Sequence, residues 1–270
     1  MIFHDWSLLP TKPKTLNDYT WDEIFVISTA GKAESLFKVG DRKEIVLNGT
    51  VGALIFEDYH TYAYIIGFDH NAAVEGDHRI HFQLAKTALS GGTDICFTDG
   101  RYLNTGSLAA FRMNTSNTNS GGWRDSYMRN NILGTSKTST SGHFMGAIPS
   151  ALRNVLKSVK KYTNNTGNTS SSGAVKATTD YIFLLSEYEV FGSCSYANSN
   201  EANYQQQYAY YSAGNSKVKY RHTSTSSTAL WWLRSASRSY SSYFVAVDTR
   251  GYAYAYIANS SLGFSPAFCV

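Results

Sequence analysis

Trp231-Trp232-Leu233-Arg234-Ser235, close to the C-terminal end of a 270-residue chain, is the stretch from which the fold is read. Side chains along a strand point alternately to its two faces, so adjacent tryptophans put one ring on each side and at least one enters the core. Phe244-Val245-Ala246-Val247 reads as a further strand, with Arg250-Gly251 at the turn that follows. Tyr252, Tyr254 and Tyr256 then alternate with Ala253, Ala255 and Ile257, which places three tyrosines on one face. Gly263 and Pro266-Ala267-Phe268-Cys269-Val270 close the segment. The plain alternative is that the tyrosine stripe is an ordinary solvated strand face.

Working outward, Tyr62 to Phe68 is the strongest candidate for a central strand, ending at Asp69-His70-Asn71. Thr20-Trp21-Asp22-Glu23 has the form of a capping box, and Trp21, Ile24, Phe25 and Ser28 continue at helical spacing toward a stop at Gly31. Phe37 to Leu47 reads as short strands around a Gly40-Asp41 turn. Trp123 to Leu133 and Ile148 to Leu156 have helical spacing, the second with Pro149 in its first turn. Asp180 to Phe191 is largely apolar and is expected to cross the core, and Asn200 to Tyr211 to form a short helix. Asn114 to Gly122 and Thr163 to Gly173 are Ser/Thr/Asn/Gly tracts that bury too little to fold alone. No period of repeat length recurs, which excludes solenoids and propellers. The expectation is an α+β chain with short helices, small antiparallel sheets and long loops: an irregular lead-in over 1–19, then one domain over 20–270.

Composition narrows the function. Hydrophobic residues make up 43% and charged residues only 16%, so the surface is covered mainly by neutral polar groups and tyrosine hydroxyls. Binding surfaces are often built this way, because tyrosine gives a large contact area at small entropic cost. A net charge of +4 with no basic run longer than Lys160-Lys161 argues against nucleic acid as a partner. No apolar stretch approaches membrane-spanning length, and Met1 to Trp6 lacks the flank and apolar run of a signal peptide. Cys96, Cys194 and Cys269 follow no metal-ligand spacing; they read as buried free thiols, or as one disulfide and one free thiol.

The order Trp231-Trp232-Leu233-Arg234-Ser235, a polar stretch, Gly263 and Pro266-Ala267-Phe268 resembles an uncharacterised domain family common in gut bacteria and their phages. The resemblance covers most of the chain. It takes in Lys38-Val39-Gly40-Asp41, Ile66-Gly67-Phe68-Asp69-His70, Gly121-Gly122-Trp123 with Ser126, Met128 and Arg129, and Phe183-Leu184-Leu185-Ser186-Glu187 with Glu189-Val190-Phe191-Gly192. Members of that family are often targets of diversity-generating retroelements, which rewrite a C-terminal variable region by adenine-directed mutagenesis on a C-type-lectin fold. The resemblance therefore implies a C-type-lectin-like scaffold with a variable ligand-binding region at about 236–263, and does not imply sugar binding. It also implies a setting on a phage virion or a bacterial cell surface, where the ligand is a protein or glycan and an oligomer is left open.

Codon chemistry bears on that implication. Randomising both adenines of an asparagine codon that ends in a pyrimidine never yields Lys, Glu, Gln, Met or Trp. None of these five occurs from Ala236 to Gly263, although the chain holds 13 Lys, 8 Glu and 5 Trp. The expected variable positions are Ser237, Arg238, Ser239, Tyr240, Ser241, Ser242, Tyr243, Ala246, Asp248, Thr249, Arg250, Tyr252, Ala253, Tyr254, Ala255, Tyr256, Asn259 and Ser261. They are expected to share one exposed face over a fixed frame of Trp231, Trp232, Phe244, Val247, Gly263, Pro266 and Phe268, with Arg234 fixing a loop by hydrogen bonds rather than touching ligand.

An enzyme is the main rival. The same scaffold carries formylglycine-generating enzymes, but the closely spaced cysteine pair they rely on does not occur here. His-Glu-x-x-His, Gly-x-Ser-x-Gly and a phosphate-binding glycine loop do not occur either. Asp69-His70, Asp77-His78 and His81 are the densest His/Asp cluster, read as polar loop residues rather than metal ligands. The sugar-binding tripeptides of calcium-dependent lectins do not occur. No catalytic residue, metal or cofactor is assigned. A purely structural virion or surface component is the third class.

Overall fold

Thr20 caps the first helix as its sequence requires: its hydroxyl accepts the Glu23 N–H at 3.2 Å, and the Glu23 carboxylate accepts the Thr20 N–H at 2.6 Å. The helix runs Trp21–Thr29 and buries Trp21, Ile24 and Ser28. The computed structural model describes residues 13–270, so the reading of Met1 to Trp6 lies outside the described residues. Within the lead-in, Leu16–Asp18 is a single 3-10 turn with Leu16 buried, rather than irregular chain.

Thirteen strands follow. They are β1 (Arg42–Val51), β2 (Leu54–Phe68), β3 (Ile80–Lys86), β4 (Ile95–Cys96), β5 (Val159–Asn164), β6 (Val175–Asp180), β7 (Ile182–Phe183), β8 (Lys219–Arg221), β9 (Ser224–Ala229), β10 (Trp231–Ala236), β11 (Tyr243–Val247), β12 (Ala253–Ile257) and β13 (Ala267–Cys269). The largest sheet has the order β1-β2-β3-β13-β7 and is antiparallel throughout. Its centre thus joins the first hundred residues to the last strand, with Phe268 opposite Phe82. Those rings stack at 5.2 Å, and Trp21 meets both edge-on at 5.6 and 5.9 Å. Three smaller sheets complete the set: β10-β11-β12, β4-β8-β9 and β5-β6. Apart from the parallel β4–β8 pair, the strands pair antiparallel within each sheet, and with short helices between them the architecture is α+β.

Several expected elements come out shorter. Phe37 to Leu47 holds one strand rather than several, because Lys38 to Asp41 is a turn in which the Lys38 N–H bonds the Asp41 carboxylate and Gly40 takes a φ of +92°. Trp123 to Leu133 is broken into a short helix at Gly122–Asp125 and a π-helical turn at Met128–Leu133. Asn200 to Tyr211 is likewise split into Ser199–Tyr204 and Ala209–Ser212. Asp180 to Phe191 does enter the core, as β7 followed by the capped helix Glu187–Phe191.

Candidate ligand-binding surface

The site is assembled on β10-β11-β12. Every residue of β10 is buried, and in the ladder Trp232 pairs with Ala246 and Ala246 with Tyr254. Phe244 pairs with Tyr256. The tyrosine side of β12 is therefore continuous with a buried floor of Trp232, Ala246 and Phe244. Trp232 donates its indole N–H to the Phe111 carbonyl at 2.9 Å and meets Tyr256 edge-on at 6.3 Å.

Three tyrosines of this segment stand in solvent: Tyr240, Tyr252 and Tyr254 are 54%, 64% and 45% exposed. Ser239, Ser241 and Arg250 are exposed with them, and the Arg250 guanidinium lies 5.4 Å from the Tyr252 ring centre. Arg238, Ser242, Tyr243, Thr249, Ala253, Ala255, Tyr256 and Asn259 are half-buried. Arg238 is tied down by a bond to the Ala197 carbonyl at 3.1 Å. Phe244, Val247 and Phe268 lie in the core.

Four of the expected surface positions are buried, so the polar residues do not form one exposed face. Ser237 accepts the N–H groups of Ser239 and Tyr240 and closes the turn before β11. Ala246 sits between Trp232 and Tyr254 in the ladder. Asp248 accepts the N–H groups of Arg250 and Tyr252, both at 2.9 Å, and holds the Arg250 guanidinium. Burial works against its charge, but these donors prevail and keep its carboxyl below the ordinary range. Ser261 accepts the Phe111 N–H and donates to Asp99. Each is polar, or small, because the backbone or the floor needs it so.

Asn119 is the residue that sequence reasoning missed. Its side-chain amide donates to the carbonyls of Ser237, Tyr240 and Tyr243 at 2.9, 2.9 and 3.0 Å, clamping the whole turn between β10 and β11. It lies in a polar tract of loop composition, where nothing in the residue types marks it out from its neighbours.

Beneath the sheet lies a buried ionic network. Arg234 donates to Thr163, to the Leu184 carbonyl, to Glu189 and to Gln205, and has no exposed surface. Lys161 bridges Glu189 and Glu75 at 3.2 and 2.9 Å, which balances two cations against two carboxylates. Burial opposes the charge on Glu189, yet Arg234 and Lys161 hold its carboxyl well below the ordinary range. His70 and His81 line the same network rather than a solvated loop. His81 Nε2 is 3.5 Å from Glu75, and the His70 ring stacks on Tyr208 at 3.6 Å. Burial pushes His70 down to about 4 and His81 well below the ordinary imidazole value. Asp77 and His78 are exposed and stand apart from them. Among the described residues no three His, Cys, Asp or Glu side chains are placed to hold one metal ion. The three cysteines are free, and burial raises the Cys96 thiol to about 12.

A family model described as a domain of unknown function, DUF6273, matches residues 101–270. The chain belongs to this family. No curated protein and no solved structure matches it. The DUF6273 match contains β5 to β13, and with them the whole candidate surface, Asn119 and Arg234. It leaves β1 to β4 outside, although β3 is the partner of β13.

Several glycines in the DUF6273 stretch are explained by close approach. A Cβ on Gly122 would stand 1.9 Å from the Asn164 carbonyl oxygen, and one on Gly263 would stand 2.3 Å from Cys96 Sγ. No helix among the described residues is long and apolar enough to cross a membrane.

Proposed function

We propose that this protein is a ligand-recognition protein, whose C-terminal surface is diversified by a retroelement on a fixed C-type-lectin-like scaffold. The ligand is a protein or glycan displayed on a cell surface. The observation that carries the reading is the division of labour around β12. Tyr240, Tyr252, Tyr254 and Arg250 project into solvent, while the strands beneath them are closed by buried groups. Trp232, Arg234, Ser237 and Asn119 hold that frame through bonds that do not involve the projecting side chains, and Asp248 holds it through the N–H groups of Arg250 and Tyr252 while also pairing with the Arg250 guanidinium. Side chains on such a frame can change without unfolding it. The missing Lys, Glu, Gln, Met and Trp between Ala236 and Gly263 support the same reading from the side of codon chemistry.

The surface works by binding rather than by chemistry. Tyrosine and arginine supply contact area, stacking and hydrogen bonds, and they are the residue types most often found as anchors at interfaces. The test lies beside the gene. A near-repeat of the coding stretch for residues 236–263, differing from it only where the repeat carries adenine, is the expected finding. A repeat with substitutions spread over all four bases, or a locus with no repeat and no reverse transcriptase, would remove the diversification reading.

A further inference from the structure

The β11–β12 ladder leaves one edge of β12 open. The Asp248 N–H donates to Tyr252 O and the Ala258 N–H to Ser242 O, both at 2.8 Å. The even-numbered residues Tyr254 and Tyr256 therefore turn their backbone groups toward β11, and Ala253 and Ala255 turn theirs the other way, while the Ala258 carbonyl accepts the Met113 and Asn114 N–H groups. Among the described residues nothing pairs with the N–H and C=O groups of Ala253 and Ala255. The strand is regular, with five consecutive partners and no bulge. Tyr252 to Ile257 contains no proline, no glycine and no charge, so the usual devices that blunt a sheet edge are missing.

We propose that this edge is a self-pairing surface. Two copies of the chain join β12 to β12 antiparallel about a two-fold axis at Tyr254, making one continuous six-stranded sheet. The outward-facing backbone groups call for an extended strand, and the sequence selects which one. Tyr252-Ala253-Tyr254-Ala255-Tyr256 reads the same in both directions. Centring the axis on Tyr254 sets Ala253 against Ala255 of the partner subunit, and Ala255 against Ala253 of the partner subunit, each pair exchanging two main-chain hydrogen bonds. Tyr254 then lies beside Tyr254 of the partner subunit in the closer spacing, about 4.5 Å between Cα atoms. Tyr252 faces Tyr256 of the partner subunit, so aromatic meets aromatic at every position on that side. Arg250 falls opposite Ala258 of the partner subunit, so no like charges face each other.

The pairing does not rest on the ligand-binding reading, because it needs only the outward main-chain groups of Ala253 and Ala255 and the tyrosines this chain carries at 252, 254 and 256. It does extend that reading: a two-fold axis through the sheet places both tyrosine stripes on the same face, doubling the area available to a ligand and allowing two-point attachment.

The test is sedimentation of the full chain across a concentration series, together with directed crosslinking. The wild type is expected to reach twice the 29.9 kDa of one chain. Tyr254→Lys brings two ammonium groups together at the axis and is expected to sediment as a monomer. So is Ala255→Pro, which removes an outward N–H without touching the ladder to β11. A mixture of Tyr254→Lys and Tyr254→Glu should recover the dimer. Tyr254→Cys should form an intermolecular disulfide on mild oxidation, and Tyr240→Cys, equally exposed but off the axis, should not. A wild type that stays monomeric at every concentration overturns the proposal. So does a dimer that persists in folded Tyr254→Lys and Ala255→Pro, since its contact would then lie elsewhere.

Discussion

At the residue scale, Arg234 shows what a strand motif can disclose and what it cannot. A charged residue directly after Trp-Trp-Leu signals a special environment, because an arginine in a buried strand must be fully bonded. Its partners, however, come from Thr163, Leu184, Glu189 and Gln205, which are distant in sequence and unpatterned. Lysine cannot reproduce the planar fork that reaches four groups. Arg234→Lys is therefore expected to leave Gln205 and Thr163 unpaired and to lower stability by about 3–5 kcal/mol, as breaking a buried pair does; chemical denaturation measures this. Glu201 makes a second case. Burial pushes its carboxyl up from 4.5 to about 7, although it accepts the Asn164 N–H and the Ser235 hydroxyl. A folded-state value above the unfolded one means the folded chain keeps a proton that the unfolded chain loses from about pH 4.5 upward. Stability from this group is therefore complete below that pH and is lost as pH rises to about 7. Glu201→Gln removes the loss. The difference in unfolding free energy between Glu201→Gln and wild type should grow between pH 4.5 and 7 and then level off, by on the order of 3 kcal/mol. A difference independent of pH would show that Glu201 is ionised in the fold. The buried histidines act in the opposite sense, since His70 and His222 are pushed down to about 4 and disfavour the fold as pH falls below 6.5. They are common to both proteins and cancel in the difference.

At the scale of elements, periodicity was a sound guide wherever hydrogen bonding is local. The helix from Trp21, the strand through Tyr62 to Phe68 and the three C-terminal strands follow from capping chemistry and alternation. The failures share one cause. Met128–Leu133 winds as a π-helix and Ser199–Tyr204 as a 3-10 helix where Asn and Ser side chains and the distant Met113 carbonyl take over backbone bonds. Alternation also placed Ser237, Asp248 and Ser261 outside, because it counts polarity and cannot see a hydroxyl or carboxylate satisfied by nearby N–H groups, whereas Ala246 is buried by its place between Trp232 and Tyr254 in the ladder. The structure also refines which tyrosines can be removed without harm. Tyr252 and Tyr254 are exposed, whereas Tyr256 is half-buried against Trp232. The double variant Tyr252→Ala with Tyr254→Ala is expected to change stability by only about half a kcal/mol. Trp232→Ala removes a buried indole and strands the Phe111 carbonyl, and is expected to cost roughly 3–5 kcal/mol. Thermal unfolding of the two variants side by side decides between surface and scaffold: equal losses would make the tyrosine stripe part of the frame.

At the scale of the whole molecule, the boundary of the matched family does not coincide with a boundary of packing. DUF6273 accounts for residues 101–270, yet β13 at the end of that stretch is inserted between β7, inside it, and β3, outside it. That relation was not legible in the chain, since strand pairing across nearly two hundred residues leaves no periodic trace. The apolar character of Pro266 to Val270 indicated only that the segment is buried. The consequence is a prediction about a fragment. Residues 101–270 expressed alone would lose the Phe82 and Trp21 rings that pack on Phe268. They would also lose Glu75, leaving Lys161 buried beside Glu189 with one carboxylate fewer, and Tyr64, which accepts a hydrogen bond from the buried Lys219. Each loss is of a kind that costs several kcal/mol, and together they equal or exceed the 5–15 kcal/mol that stabilises an ordinary domain. The fragment is therefore expected to lack a cooperative thermal transition and to be cut rapidly by protease, while the full chain melts in one step. Adding residues 13–100 as a separate polypeptide should restore protection, with β3 docking beside β13. A fragment 101–270 that melts cooperatively on its own would mean that β1 to β3 are an accessory layer and that the unit carrying the tyrosine surface is the shorter one.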